Sequence, residues 1–182
     1  MLAQTEIVHF PYTVSHRDVK YPRLEFRTGT LLVILPKGQD EKRILKKHKH
    51  WIDLKYQFIN GAIEESTNVT LSSRSLENLR SLVHNLIEIY SQKIGCEPGR
   101  VCIKKMVTKW ASCSKKGTIT INSQMTKLPK HLIEYIVFHE MAHLKYHKHD
   151  ELFWKYIKEK FPNPEELEKE LCIYWFLVER TQ

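Results

Sequence analysis

One pentapeptide, His139-Glu140-Met141-Ala142-His143, has the residue types and spacing that metal-assisted hydrolysis needs. Residues four apart on an α-helix share a face, with Cβ atoms about 6 Å apart, so His139 and His143 can offer two imidazoles to one zinc ion. Glu140, one step round the helix, can reach a water on the metal without ligating the metal, and a carboxylate there serves as general base. Ala142 is small enough for another element to pack closely against the helix. The pentapeptide alone is a weak signal. With ten His and seventeen Glu in 182 residues, chance yields it in roughly one such sequence in 20.

A catalytic zinc takes three protein ligands and keeps one position open. Two further histidines follow the pentapeptide. His147 would continue the helical face, but it lies about 12 Å along the axis from His139 at 1.5 Å per residue, too far for one ion. His149 is within reach if the helix ends near Tyr146 and the chain turns back. Asp150, a good cap for a following helix, supports a break there. A third His six residues after the second lowers the chance expectation to roughly one sequence in 400. The residues therefore point to Zn2+ on His139, His143 and His149, with Glu140 as the base and His147 as the alternative third ligand. Tyr146 and His147 are the nearest side chains that could donate to a developing oxyanion. A surface tyrosine and a solvated histidine are the simpler account of them.

These groups need elements to hold them. Pro129 suits the first position of a helix whose apolar stripe is Leu132, Ile133, Ile136, Val137, Met141 and Leu144. Asp150 can cap a second helix running to Phe161, which Pro162-Asn163-Pro164 stops, and a last helix follows from Glu165 to about Val178. Upstream, Leu76, Leu79, Val83, Leu86, Ile87 and Tyr90 mark one helical face, with Gly95 placed as its C′ residue. Val101–Met106 reads as a strand. Val107–Ser112 and Thr118–Asn122 read as a hairpin around the turn Ser114-Lys115-Lys116-Gly117, and an exposed edge there could hold an extended peptide. Trp110 and Cys113 could equally fill the core behind the helix. In the first third, Ile7–Val14, Leu24–Arg27 and Thr30–Leu35 have strand composition, with Thr28-Gly29 a turn between the last two. One helix starts near Gln39-Asp40 and runs past Trp51. Residues 66–73 read as loop or a short strand. The expected organisation is an N-terminal β-rich segment with one helix over residues 1–73, then a core over 74–182. Strands and helices in this order give an α+β class.

Composition narrows the function classes. No stretch approaches the roughly 18 uninterrupted apolar residues of a membrane span, and Met1-Leu2-Ala3-Gln4-Thr5-Glu6 lacks the features of a secretory signal, so a cytoplasmic location is expected. Cys96, Cys102, Cys113 and Cys172 form no CxxC pair, which argues against a zinc ribbon or dithiol site and for reduced, buried thiols. The formal charge of +8 raises a nucleic-acid partner. Much of it sits in Lys42, Arg43, Lys46, Lys47, Lys49 and Lys55, which a solvated face of an amphipathic helix also explains.

From about Tyr21 onward the chain resembles the YgjP-like metallopeptidases. The likeness is carried by Lys109-Trp110-Ala111-Ser112-Cys113-Ser114-Lys115-Lys116-Gly117, by Ile119–Asn122, by His139–Leu144 with His149, and by Phe153-Trp154. Pro36-Lys37-Gly38 and Lys49-His50-Trp51-Ile52 resemble the family's N-terminal segment. Lys109 and Ala111 stand where the family usually has Arg and Gly. The resemblance implies a zincin-like fold, with the metal helix beside a small sheet, and zinc-dependent hydrolysis of a peptide or protein substrate. It implies His139, His143 and His149 as ligands and Glu140 as the catalytic residue. SprT-like proteases of DNA–protein crosslinks are similar around the site, which keeps a DNA-associated protease as an alternative. Metzincins share the ligand spacing but have Gly where this chain has Tyr146. A third reading is a zinc-bearing scaffold without turnover.

Overall fold

A computed structural model describes residues 3–5, 8–27 and 30–181. The chain divides into two compact units, Met1–Asn68 and Val69–Gln182.

In the first unit β-branched and aromatic residues build four strands: β1 (Ala3–Thr5), β2 (Val8–Arg17), β3 (Arg23–Arg27) and β4 (Thr30–Pro36). Their order is β1-β2-β4-β3, with β2 parallel to β4 and the other pairs antiparallel. The expected Thr28-Gly29 turn lies outside the described residues. Leu31, Val33 and Leu35 alternate along β4 and are buried with Phe10 and Tyr12. Asp40 caps the next helix, its carboxylate accepting from the Lys42 N–H at 3.0 Å. The single helix expected here is two, α1 (Glu41–Lys47) and α2 (Lys49–Glu65), which meet at His48. Leu45 from one and Ile52 from the other enter the same core. The six basic residues singled out above are all exposed, as a solvated face requires.

The second unit starts with α3 (Leu76–Ile94). Ser75 caps it by accepting from the Asn78 N–H at 3.0 Å, and Gly95 closes it in the left-handed region at φ 73°. A three-stranded sheet follows, in the order β5 (Arg100–Lys104), β7 (Thr118–Asn122), β6 (Ala111–Cys113). β5 runs parallel and β6 antiparallel to β7. Residues 107–110, expected as strand, are irregular. Asn122, fully buried, supplies the reason. Its Nδ2 donates to the Met106 and Lys109 carbonyls, and its Oδ1 accepts from the Met106 N–H. A side chain thus takes the bonds a strand ladder would have made.

Pro129 is the residue before α4 (Lys130–Ala142) rather than its first. Leu132, Ile133, Ile136, Val137 and Met141 bury one side of that helix against Ile119 and Ile121 of the sheet and Leu79, Val83 and Tyr90 of α3. Then come α5 (Glu151–Lys160) and α6 (Pro164–Arg180). The class is α+β, with helices around a small sheet. Among the described residues no helix is long and apolar enough to cross a membrane.

Candidate active site

Helix α4 delivers His139 and Glu140 from its last turn and ends at Ala142, so His143 is already the capping residue. The chain then folds back. The His143 ring sends Nδ1 to the Tyr146 carbonyl at 2.9 Å, and the His147 ring sends Nδ1 to the His143 carbonyl at 3.0 Å. Asp150 caps α5, its carboxylate accepting from the Phe153 N–H at 3.1 Å. These local bonds make the turn that returns His149 to α4. His149 Nε2 lies 2.9 Å from His139 Nε2 and 3.1 Å from His143 Nε2. His147 is spent on the loop and does not point into this cluster.

Three nitrogens around one tetrahedral zinc, each about 2.0–2.1 Å from it, stand roughly 3.3 Å apart. The observed spacing is close to that. The Tyr146 carbonyl keeps the proton of His143 on Nδ1, which leaves the Nε2 lone pair for a cation. Burial, and after it His143 and His149, hold the His139 imidazole down at about 3, and burial also lowers His143. Both rings are therefore neutral, as ligands must be. The donor set fits a zinc ion.

Phe153, fully buried, forms the floor beneath the three rings. It stacks on His143 with centroids 4.7 Å apart and meets His139 and His149 edge-on at 4.9 and 4.8 Å. Trp154 stacks on His149 at 5.7 Å. Glu134, on the same helix as His139, accepts from Tyr90 Oη at 2.9 Å on α3 and from Lys160 Nζ at 3.0 Å on α5. Helix α4 is thereby pinned from two sides.

Glu140 is 9% exposed. Burial pushes its carboxyl up to about 7, although the Cys113 backbone N–H and the Lys109 charge act the other way. The Cys113 N–H is free to do this because of the register of β6. Trp110 and Ser114 make the flanking bonds to β7, Asn122 N–H to Trp110 carbonyl at 2.8 Å and Ser114 N–H to Thr118 carbonyl at 2.9 Å. Antiparallel pairs alternate, so the backbone groups of Ala111 and Cys113 point away from β7, over the free edge. One of those outward groups holds Glu140. The Cys113 thiol is half-buried, with its pKa raised by burial and then by the Glu140 carboxylate, and it stands outside the histidine cluster.

Beside Glu140 lies a cavity of about 570 Å³. Its walls include Trp110 and Ala111 from the sheet side, Tyr135, Ile136 and His139 from α4, and Glu168 and Leu171 from α6. Tyr135 Oη donates to Glu168 at 2.6 Å. Trp110 bridges the two sides, donating from Nε1 to the Leu171 carbonyl at 3.3 Å and meeting Trp175 edge-on at 5.0 Å. It packs on α6 and walls the cavity at once. The Tyr146 ring packs against Tyr156 with centroids 5.5 Å apart, so its service to the site is its backbone carbonyl. The Phe153 floor, the Cys113 N–H and the Tyr135–Glu168 wall were not assigned from sequence. Phe153 and Cys113 entered as parts of the family-like segments, with no role at the site.

The YgjP-like metallopeptidase domain model matches residues 64–173, more than half of the chain. The chain belongs to the YgjP-like metallopeptidase family. It is a hydrolase of the metallopeptidase class. The chain is also similar to the metallopeptidase zymogen abylysin of Pyrococcus abyssi, at 30% identity over 49% of this chain and 90% of that one, TM-score 0.45. The zymogen jannalysin of Methanocaldococcus jannaschii is similar at 28% identity over 54% of this chain and 89% of that one, TM-score 0.44. No curated protein matches the chain.

Proposed function

We propose that this YgjP-like chain is a zinc-dependent peptidase in which His139, His143 and His149 hold the metal and Glu140 is the general base. The observation that carries the reading is the meeting of three imidazole Nε2 atoms beside a carboxylate that a strand edge fixes in place. When bound, zinc supplies Lewis acidity, lowering the pKa of a coordinated water toward about 7 and polarising a carbonyl oxygen. Glu140, buried beside the histidines and held by the Cys113 N–H, is placed to take a proton and return it to the leaving amine. The Cys113 N–H orients that carboxylate, and the Phe153 floor keeps water from the far side of the imidazoles. The outward backbone groups of Ala111, together with the Cys113 carbonyl, offer an extended substrate a strand to pair with. That pairing lays the substrate backbone alongside Glu140.

Glu140→Gln tests the reading because it keeps size and shape while removing the base. The variant retains one zinc per chain and its fold, and loses at least about 100-fold in cleavage of a pooled peptide library followed by mass spectrometry. Equal cleavage by both proteins would assign the activity to another group. Two proteins that hold zinc and cleave nothing would instead leave the scaffold reading standing.

A further inference from the structure

From Pro98 to Ile133 the chain carries eight Lys or Arg and no Asp or Glu. That stretch contains the whole β5-β7-β6 sheet. Two of its cationic positions bracket the free edge of β6. Lys109 lies two residues before the strand and lines the cavity beside Glu140. Lys115 and Lys116 form the turn that leaves it. A Cβ on Gly117 of that turn would stand 3.6 Å from Leu144 Cδ2, so the turn packs on the segment between His143 and His149, where Lys145 and Lys148 lie. All five lysines are exposed, and among the described residues none forms an ion pair.

The opposite wall is acidic, and part of that charge has a basic partner. Glu165 pairs with Lys158 at 2.7 Å, Glu168 accepts from Tyr135 at 2.6 Å, and Glu170 pairs with His131 at 2.8 Å. The sheet side of the cleft is thus a cationic rim, and it faces the Glu168 carboxylate on the α6 side. Like charges gathered without an ion-pair partner repel one another and favour an anionic ligand.

We infer that the cleft selects acidic peptides, bound along the β6 edge with one carboxylate on Lys109 and another on Lys115 and Lys116. This rests on the peptidase reading, since it places the substrate on the strand that holds Glu140. Lys115 comes six positions after Lys109, so the two cationic ends are at most about 20 Å apart. Acidic side chains about four to six positions apart in an extended substrate reach both. A peptide fits better than a nucleic acid because the edge offers strand-spaced N–H and C=O groups. Base stacking wants free aromatic rings. Trp110 is turned onto Trp175, Trp154 lies on His149, and no large aromatic side chain is exposed between residues 98 and 149.

The test uses the zinc-loaded full chain and fluorescein-labelled peptides of one length with acidic, neutral or basic flanks. Anisotropy on Glu140→Gln reads binding, and mass spectrometry on the wild type reads cleavage. Each exposed ion pair is worth at most a few-fold, so two or three give an expected preference of about tenfold for the acidic flanks at low salt, fading as salt rises. Lys109→Glu and the double change Lys115→Glu with Lys116→Glu, checked for folding by circular dichroism, each invert the preference at their own end. Cleavage without regard to flanking charge overturns the inference and leaves the peptidase reading intact. Acidic peptides that bind in this lysine-dependent way but are never cleaved uphold the surface and sink the peptidase reading. An oligonucleotide that binds tighter than the acidic peptides and displaces them overturns the inference in favour of a nucleic-acid rim. Absence of both binding and cleavage overturns both readings.

Discussion

At His143 the two ring nitrogens have separate tasks, Nδ1 on the Tyr146 carbonyl and Nε2 toward His139 and His149. That division fixes the tautomer a ligand needs. It also makes the three histidines unequal to the fourth nearby. His147 holds the loop through the His143 carbonyl and has no atom in the cluster. His139→Ala and His143→Ala are each expected to abolish stoichiometric zinc, because two protein ligands do not hold the ion in an open site. His149→Ala is expected to weaken zinc far more than His147→Ala, whose effect comes through loop order and stays within the roughly 10–100-fold seen for outer-shell partners. Competition with a chromophoric chelator measures all four. Equal losses for His147→Ala and His149→Ala would refute the assignment. The clustering of the three histidines was readable in sequence because a four-residue step is a property of any helix and because Asp150 announces the next one. The Phe153 floor was not, since nothing in a phenylalanine's type says which rings it will lie under.

Elements were readable where a local rule decides them. The face of α3 follows from its periodicity and its end from Gly95 at positive φ, while the start of α5 follows from Asp150. Each of these is set by bonds within a few residues. Residues 107–110 of the strand expected over 107–112 are irregular for the opposite reason. The conformation of 106–109 is set by Asn122, 13 to 16 residues further on, whose amide satisfies the Met106 and Lys109 backbone. The end of α4 at Ala142 was likewise invisible to hydrophobic pattern, which runs on to Leu144. The same tie carries a consequence. Asn122→Ala leaves the Met106 carbonyl and N–H and the Lys109 carbonyl without their buried partner, at a cost of about 2–3 kcal/mol. For a chain of this size that lowers Tm by roughly 5–10 °C. Differential scanning calorimetry measures it, and hydrogen exchange should speed over residues 106–110 before the rest of the sheet. A Tm within a degree of wild type would mean that the loop finds other partners.

Across the whole molecule, each unit has its own apolar core, Phe10, Tyr12, Leu31 and Ile52 in one, Leu79, Ile121, Ile133 and Phe153 in the other. All three proposed ligands belong to the second. A metal that binds only the folded state stabilises what it joins by RT ln(1 + [L]/Kd), about 4 kcal/mol at a thousandfold excess over Kd. Here it joins the last turn of α4 to the loop before α5, and through Phe153 it bears on the core that the sheet and α3 share. Chelation is therefore expected to speed amide exchange over residues 130–161 by about 100-fold or more, the loop from His143 to His149 most of all. The strands β2 and β4, whose core contains no ligand, should keep their protection. Hydrogen exchange with mass spectrometry, run on zinc-loaded and chelated protein at one pH, resolves the two regions in a single experiment. Equal acceleration in both would show that the metal governs the stability of the entire chain. No change around His139, His143 and His149 would show that it binds elsewhere.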